Sequence, residues 1–426
     1  MAVSARSVES DPSLTDFQGY MKLEKAWRWF GPSDAVTLDH LVQIGIEGVV
    51  TALHHIPTGE VWPKEEIIAL RNEIESKGMR WSVVESVPVS EEIKTAGAER
   101  DRHIENYRQT LRNLGECGID TVCYNFMPVL DWCRTILDYP QAGGGIGLCF
   151  DYPTFVAFDV FILKRPGAAD DYTEEDLVQA ERAFSKMTPD EAKRLSYNII
   201  VVTQGFINGV IDGSVSDPEK LFLEYISGYR EIGRDTYREN LKYFIDSLMP
   251  VCEEFNVNLC IHPDDPPYPI LGMPRIMGCA DDMEWLERAN PSLRNGITFC
   301  TGSLSGRHDN DLPCMVTRFG ERIHFAHLRN TRYTGYKSFY ESGHLYGSLD
   351  MPAIVENLMR EQRRRVAEGR ADTRIPVRPD HGIRILNDLD SDRYNIGYPL
   401  NGRMRGISEL DGLMVGIDRM LSREKP

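Results

Sequence analysis

The chain has 426 residues, of which 42% are hydrophobic and 27% charged, and its formal net charge is −17. This length suits one large barrel or about two to three average domains, and the composition is typical of a water-soluble globular protein. The acidic balance argues against a nucleic-acid partner, because phosphate backbones attract clustered Lys and Arg. It leaves an anionic small substrate open, since a few local cations can reverse the field inside a pocket.

The cysteines and the apolar runs indicate a compartment. None of the nine cysteines forms a CxxC pair, and scattered cysteines in a long chain indicate reduced thiols rather than a disulfide framework. No apolar run is long enough for a membrane span, and the first residues lack the hydrophobic core of a signal peptide. We therefore expect a cytoplasmic protein without a membrane partner. Residues 1–20 are polar and non-periodic, which predicts a loose extension before a single domain at 21–426.

From Met21 onward, short apolar runs alternate with loops and helical patterns. The predicted strands are residues 22–30, 48–54, 81–86, 121–126, 257–261, 296–301, 323–328 and 375–378. Predicted helices include residues 63–77, 101–117 and 351–368. Ser33 or Asp34 is the expected N-cap of the first helix, because either side chain can accept a hydrogen bond from a free amide of the first turn.

The alternation stops between residues 133 and 235. This segment contains a glycine-rich turn at 143–147, an apolar patch at 155–163 and a helical pattern from Thr173. It is too long for a single loop of a compact domain. We predict an inserted segment that acts as a lid or as an oligomer contact.

Eight strands alternating with helices predict a (β/α)8 TIM barrel with a long insertion after the fourth strand. The main alternative is a doubly wound sheet, which would be expected to carry a GxGxxG turn after an early strand, and this sequence has none. Barrel enzymes collect their catalytic residues at the carboxyl ends of the strands. Functional residues are therefore expected at the carboxyl ends of the predicted strands.

Four strand ends carry side chains that bind metals well: His262, Cys300, His327 and Asp380. Their separations of 38, 27 and 53 residues each suit one βα step, so the four should converge above the barrel. Two imidazoles and a carboxylate suit Mn(II) or Fe(II), and a thiolate excludes neither. Zinc is an alternative, but a closed tetrahedral zinc would be structural, whereas this site should keep open positions for substrate. For Cys300, the competing interpretation is a small buried hydrophobe.

Polar residues beyond the strand ends are candidate substrate ligands. Arg307 and Arg329 could clamp a carboxylate, because guanidinium matches it with two parallel hydrogen bonds; a surface ion pair is the alternative for each. His308, Asn330 and His344 lie on neighbouring loops and complete the predicted substrate-binding set. His381 follows Asp380 and is a candidate acid or base.

Several blocks of this sequence, in the same order, resemble the D-mannonate dehydratases of hexuronate catabolism. They are WRWFGPSD (27–34), VVTALHHIPTGEVW (49–62), WSVVESVPV (81–89), TVCYNFMPVLDW (121–132), HPDDPP (262–267), FCTGS (299–303), HLRN (327–330), RPDHG (378–382) and GYPLNGR (397–403). The resemblance runs from about Lys25 to the C-terminus. It implies a xylose-isomerase-like barrel that holds Mn(II) or Fe(II).

The family's metal ligands map onto the same four residues, His262, Cys300, His327 and Asp380. Its acid/base residues fall on His381 and on the tyrosine of GYPLNGR, Tyr398, with Tyr394 close by as an alternative. After Trp132 the family's usual block is altered, since Cys133 and Ile136 stand in CRTIL. All four ligand positions are intact, which implies an active enzyme.

The resemblance implies metal-dependent dehydration of D-mannonate to 2-keto-3-deoxy-D-gluconate and water, by a protein that is a homo-oligomer. One alternative is a metal-dependent sugar isomerase or epimerase on the same barrel, which would retain the C3 hydroxyl. A second is a sugar-acid binder without chemistry. Formation of a keto-acid product separates dehydration from both alternatives.

Overall fold

The computed structural model describes residues 19–204, 211 and 214–424, and eight parallel strands within them close into a barrel. With the four strands of a second sheet, the strands of the described residues are β1 (Glu24–Arg28), β2 (Gly48–Thr51), β3 (Arg80–Glu85), β4 (Thr121–Tyr124), β5 (Ile136–Pro140), β6 (Ile146–Phe150), β7 (Asn258–Ile261), β8 (Asn295–Cys300), β9 (Ile323–His327), β10 (Thr331–Gly335), β11 (Ser338–Glu341) and β12 (Pro376–Arg378). The barrel order is β1-β12-β9-β8-β7-β4-β3-β2. This confirms the predicted (β/α)8 barrel.

Helices follow the barrel strands and fill the insertion. They are α1 (Leu38–Ile44), α2 (Lys64–Glu75), α3 (Glu91–Lys94), α4 (Arg100–Glu116), α5 (Tyr152–Ala157), α6 (Glu174–Phe184), α7 (Pro189–Tyr197), α8 (Pro218–Ser227), α9 (Arg234–Glu254), α10 (Ala280–Ala289), α11 (Thr301–Leu304), α12 (Leu312–Phe319), α13 (Met351–Ala367) and α14 (Leu400–Leu421). Short π-helical turns lie at Phe158–Ile162 and Asn198–Val202, and 3-10 turns at Ala168–Asp171, Gly320–Arg322 and Leu386–Asp388. In the part of the chain that the structure describes, no helix is both long enough and apolar enough to cross a membrane.

The barrel strands are buried on both faces. A small inner cluster fills the barrel and consists of Ala26, Val50, Val83, Cys123 and Phe325. Strand residues of the opposite face, such as Trp27 and Val49, belong to the larger core that also contains the helices. Parallel strands covered on both sides read as continuous apolar runs, which is why the sequence showed runs without alternation.

A second sheet lies outside the barrel and has four strands in the order β10-β11-β6-β5. Strands β5 and β6 form a hairpin around the glycine-rich turn, where the Gln141 amide donates to the Gly145 carbonyl at 2.8 Å. Phe150 of β6 pairs with Phe339 of β11, which follows the seventh barrel strand. The segment 133–235 is therefore tied to a distant part of the chain, and its role as a lid or oligomer contact stays a prediction.

The predicted cap of the first helix was wrong. Helix α1 starts at Leu38, and Thr37 caps it by accepting from the His40 amide. Asp34 instead accepts from the amides of Phe30 and Val36 and stabilises the turn before the helix. In the predicted extension 1–20, residues 1–18 lie outside the described residues.

Candidate metal centre and active site

Three of the predicted metal ligands meet at the mouth of the barrel. His262 directly follows β7, while Cys300 and His327 end β8 and β9. One donor atom from each lies within 4.8 Å of the others, and His262 Nε2 is 3.2 Å from His327 Nδ1. Adjacent parallel strands end at the same edge, so residues far apart in sequence converge here.

Asp380 joins this group from the loop after β12, the strand that pairs with β9 on the side opposite to β8. Its Oδ2 lies 3.6 Å from Cys300 Sγ and its Oδ1 lies 4.0 Å from His327 Nδ1. The backbone of Asp380 has φ 60°, a left-handed conformation that Asp tolerates better than most residues. Burial raises the pKa of this carboxyl, but Arg378 and Arg329 more than offset that effect and hold the pKa well below its usual range. The group is therefore an anionic oxygen donor.

The chemistry of the donor set fits a divalent cation. Two imidazoles, a thiol and a carboxylate are a combination that first-row metals accept. His327 Nε2 is buried and has no hydrogen-bond partner among the described residues, although most buried polar atoms in folded proteins have one. Cys300 Sγ accepts hydrogen bonds from Ser303 Oγ at 3.1 Å and from the Ser303 amide at 3.4 Å, which fix the position of the sulfur.

An ion-pair cluster of Arg28, Glu85 and Arg378 lies beside the candidate metal donors. Arg378 donates to Glu85 through Nε and Nη2, at 3.0 and 2.8 Å, and Arg28 Nη1 donates to it at 2.6 Å. Burial raises the pKa of Glu85, yet the two guanidinium groups hold it well below its usual range. Sequence reasoning did not assign these residues to the site. The strand-end rule could have found them, because Arg28, Glu85 and Arg378 each end a barrel strand.

A second cluster links the barrel to the outer sheet. Arg329 Nη2 donates to Asp265 at 2.7 Å, and Arg134 reaches the same carboxylate at 2.7 and 3.0 Å. Arg134 also donates to Glu341 at 2.9 Å. Arg134 immediately precedes this sheet region and Glu341 ends β11, so no strand-end pattern of the barrel could have indicated either residue.

His381 and Tyr398 lie together next to the candidate metal donors. Their rings are 5.0 Å apart in an edge-on arrangement, and the Trp132 ring packs 4.9 Å from His381 on another side. Burial, partly offset by Arg378, raises the pKa of Tyr398 to about 12. Tyr394 points elsewhere, and its hydroxyl accepts a hydrogen bond from Arg393 at 2.7 Å.

These groups line one cavity, with Asp131 on one wall. Among the predicted substrate ligands, Arg329 lines this cavity. The cavity lining therefore carries both signs of charge, as a site for a small polar molecule requires.

The structure places the other four predicted substrate ligands away from that wall. Arg307 pairs with Asp309 at 2.5 Å. The His308 ring stacks 3.8 Å from that of Tyr333. Backbone carbonyls hold the side chains of Asn330 and His344. Asn330 donates to the carbonyl of His344 at 3.0 Å, and His344 Nε2 lies 2.7 Å from the carbonyl of Pro379. Contact of Arg307, His308, Asn330 and His344 with substrate stays a prediction.

The fold and this site define a class of protein, a TIM-barrel enzyme with a candidate metal centre beside a buried histidine and tyrosine. Comparison with known proteins identifies the family. The family model described as D-mannonate dehydratase (UxuA) matches residues 21–424, and the chain belongs to this family. It is accordingly a hydro-lyase that acts on a sugar acid.

Individual relatives agree with this assignment. A mannonate dehydratase of Marinomonas sp. (strain MWYL1) is 48% identical over 400 residues, which covers 94% of this chain and all of the relative. A mannonate dehydratase of Chromohalobacter salexigens is 47% identical over 405 residues, with 93% of this chain and all of the relative covered. The crystal structure of mannonate dehydratase from Streptococcus suis serotype 2 matches with a TM-score of 0.72 and 32% identity, covering 95% of this chain and 96% of that one.

Proposed function

We propose that this mannonate dehydratase uses Mn(II) or Fe(II), held by His262, Cys300, His327 and Asp380, to convert D-mannonate to 2-keto-3-deoxy-D-gluconate and water. The observation that carries the proposal is the convergence of three donor atoms within 4.8 Å, with the Asp380 carboxylate beside them. A divalent cation at this position supplies Lewis-acid stabilisation of negative charge that develops on the substrate. The reaction would serve hexuronate catabolism.

The chain's own residues supply the proton transfers. Dehydration removes a weakly acidic proton at C2 and expels a hydroxyl from C3, so it needs a base and an acid. His381 suits the base, because imidazole exchanges protons near neutral pH. Tyr398 suits the acid, since a pKa of about 12 keeps its proton in place at neutral pH. The Trp132 ring packs against His381 and limits the access of water to it.

Arg329 is the proposed contact for the negative charge of the substrate. It is 2% exposed, lines the cavity and already donates to Asp265 and Glu341. Those two carboxylates hold the guanidinium in place before substrate arrives, which lowers the entropy cost of ordering it. Arg307, His308, Asn330 and His344 do not line this cavity, so any contact of theirs with substrate would be secondary to that of Arg329.

One incubation tests the central proposal. Purified protein, treated with a chelator and verified metal-free by elemental analysis, should not convert D-mannonate, and added Mn(II) or Fe(II) should restore a keto-acid product visible by NMR. Full activity of metal-free protein would refute the metal dependence. A product that retains the C3 hydroxyl would contradict dehydration.

His381→Asn tests the proposed base. Asparagine keeps polarity and approximate size but cannot shuttle a proton, so turnover should fall by roughly 100-fold or more while metal content stays normal. Tyr398→Phe should give a related loss. Exchange of the substrate C2 hydrogen with solvent deuterium should persist in Tyr398→Phe and vanish in His381→Asn. Wild-type turnover in His381→Asn would remove this residue from the mechanism.

We also propose a cytoplasmic homo-oligomer. The nine cysteines are all free thiols, which fits a reducing compartment. Large side chains such as Tyr336, Tyr346 and Leu386 are 67, 64 and 71% exposed, and such side chains are common at subunit contacts. Light scattering coupled to size-exclusion chromatography tests the assembly, and a mass of one 48.5 kDa chain would contradict it.

A further inference from the structure

Glu341 belongs to the outer sheet, yet its side chain ends beside the proposed base. It is the last residue of β11 and is 2% exposed. Its Oε1 lies 2.7 Å from His381 Nδ1, 3.0 Å from Arg329 Nη1 and 2.9 Å from Arg134 Nη2. Three groups from different parts of the chain therefore converge on one carboxylate oxygen.

The contact with His381 assigns the proton on the imidazole ring. Glu341 lies between two guanidinium groups, which favour its ionised form, and an ionised carboxylate can only accept hydrogen bonds. His381 Nδ1 faces two groups at 2.7 Å, the acceptor Glu341 Oε1 and the donor Arg329 Nη1. A proton on Nδ1 fits the carboxylate and a bare Nδ1 fits the guanidinium; we infer the proton, because Arg329 already donates to Glu341 and Asp265, and a bare Nδ1 would face an anionic oxygen.

The remaining contacts hold the imidazole ring in its plane. Trp132 and Tyr398 pack on it with ring centres 4.9 and 5.0 Å away. Gly397, at φ +84°, leaves room for the ring edge, because a Cβ there would lie 3.1 Å from His381 Cδ2. With Nδ1 bonded to Glu341 and the ring held on its other sides, Nε2 is the nitrogen that remains available for proton transfer.

We propose that Glu341 is a positioning residue for His381, which holds the Nδ1–H tautomer and leaves Nε2 to accept the substrate proton. This inference rests on the proposed role of His381 as the base. It follows the general logic by which a carboxylate orients a catalytic histidine. Arg134, which is 0% exposed and also bonded to Asp265, fixes the carboxylate in turn. The outer sheet thereby contributes to the barrel's chemistry.

A double-mutant cycle tests the proposal on the metal-loaded enzyme. Glu341→Gln keeps the shape of the side chain and removes its charge, and should lower kcat at least about 10-fold, as expected when a histidine loses the carboxylate that orients it. In the His381→Asn background the same change should have less than about a twofold further effect, because residues that act as one unit are not additive. An equal loss in both backgrounds would overturn the proposal.

Tyr340→Ala is the matched control for disturbance of the strand. Tyr340 neighbours Glu341 on β11, and its ring stacks on Tyr139 rather than on His381. Rates are divided by the metal content of each preparation, so that a loss of folded sites does not count as a loss of turnover. Tyr340→Ala should retain wild-type turnover on this scale. A Tyr340→Ala loss equal to that of Glu341→Gln would assign Glu341 a structural role and overturn the proposal.

A direct measurement on unsubstituted protein keeps the proposal testable if Glu341→Gln does not fold. Long-range nitrogen–proton NMR of ¹⁵N-histidine-labelled enzyme, with Zn(II) in place of paramagnetic ions, reports the tautomer of each ring. The His381 signal, identified by its absence from His381→Asn, should show a protonated Nδ1; a protonated Nε2 with a bare Nδ1 would overturn the proposal. Wild-type turnover in His381→Asn, by contrast, would refute the proposed base and not the tautomer.

Discussion

Strand β9 carries two buried histidines, and their surroundings differ. His324 lies near the amino end of the strand, its lower end, and His327 lies at the carboxyl end, its upper end. At the lower end, His324 Nε2 lies 2.8 Å from the Leu293 carbonyl and Nδ1 lies 3.2 Å from Asp372 Oδ2. At the upper end, His327 Nδ1 faces the His262 imidazole at 3.2 Å, and Nε2 lies 3.6 Å from Glu85 Oε2, beyond hydrogen-bond distance. Two histidines three positions apart thus differ in the kind and the distance of the groups that face their ring nitrogens.

The difference teaches how to separate structural from functional burial in a barrel. Gly296 on the neighbouring strand makes room for His324, since a Cβ there would lie 2.4 Å from the ring. The lower site is thus closed, and each ring nitrogen of His324 faces a protein oxygen, at 2.8 or 3.2 Å. Buried polar groups left without such partners cost free energy, and they persist where a ligand satisfies them. The lower end therefore indicates stability, and the upper end indicates binding.

Replacing a ligand at the upper end should have the largest effect. For His327→Ala and Cys300→Ser we expect loss of bound metal and a fall in turnover of more than about 100-fold. This exceeds the usual loss when a residue that only hydrogen-bonds to a metal ligand is replaced. Elemental analysis and kcat on the same preparation check this. If Cys300→Ser kept its metal and only its melting temperature fell, Cys300 would be a core residue.

The matched change at the lower end should act on stability alone. His324→Leu removes both ring nitrogens and leaves the Leu293 carbonyl and Asp372 without this partner, so the free energy of unfolding should fall by about 1–3 kcal/mol. Urea unfolding measures the loss. Turnover per bound metal should equal that of the wild type, and a large loss of turnover would contradict the separation of the two ends.

The pH dependence of stability sharpens the comparison. Burial lowers the pKa of His324 below its usual 6.5, against the opposing effect of Asp372. The unfolded chain therefore binds the proton more readily, and this histidine destabilises the fold as the pH falls below about 6.5. The stability gap between wild type and His324→Leu should narrow between pH 7.5 and 5, as measured by urea unfolding. A gap that widens over this range would mean that folding raises the pKa of His324 rather than lowering it. Asp372 titrates below this window, since its pKa is also lowered.

Arg307→Ala should have the smallest effect. The side chain is 35% exposed and pairs with Asp309, and an exposed pair of this kind contributes little. We expect less than a twofold change in KM for D-mannonate, equal to that of the control Arg318→Ala, whose guanidinium pairs with Glu287. A tenfold rise in KM for Arg307→Ala alone would instead support the predicted contact with substrate.

Patterns local in sequence accounted for the barrel and for the convergence of its candidate metal donors. Each barrel strand is a short apolar run, and a side chain at a strand's carboxyl end must lie at the mouth, so His262, Cys300 and His327 could be grouped before their distances were known. The same rule predicts that Arg28 and Glu85, which end β1 and β3, also lie at the barrel mouth. The first helix cap was missed because several residues before α1 can act as caps, and the turn around Asp34 decides that Thr37 does so.

The sequence by itself determined the barrel and the family and predicted the donor set, because periodicity, strand ends and ordered motifs are properties of short segments. Only the tertiary structure decided that Arg134 and Glu341 reach the candidate active site, since their position depends on the pairing of β6 with β11 across about 190 residues. It also decided which groups face each buried histidine: His324 and His327 occupy one apolar run, and the partners that distinguish them come from other strands and loops. A side chain's type is encoded locally, whereas the satisfaction of its polar atoms depends on neighbours that only folding brings together.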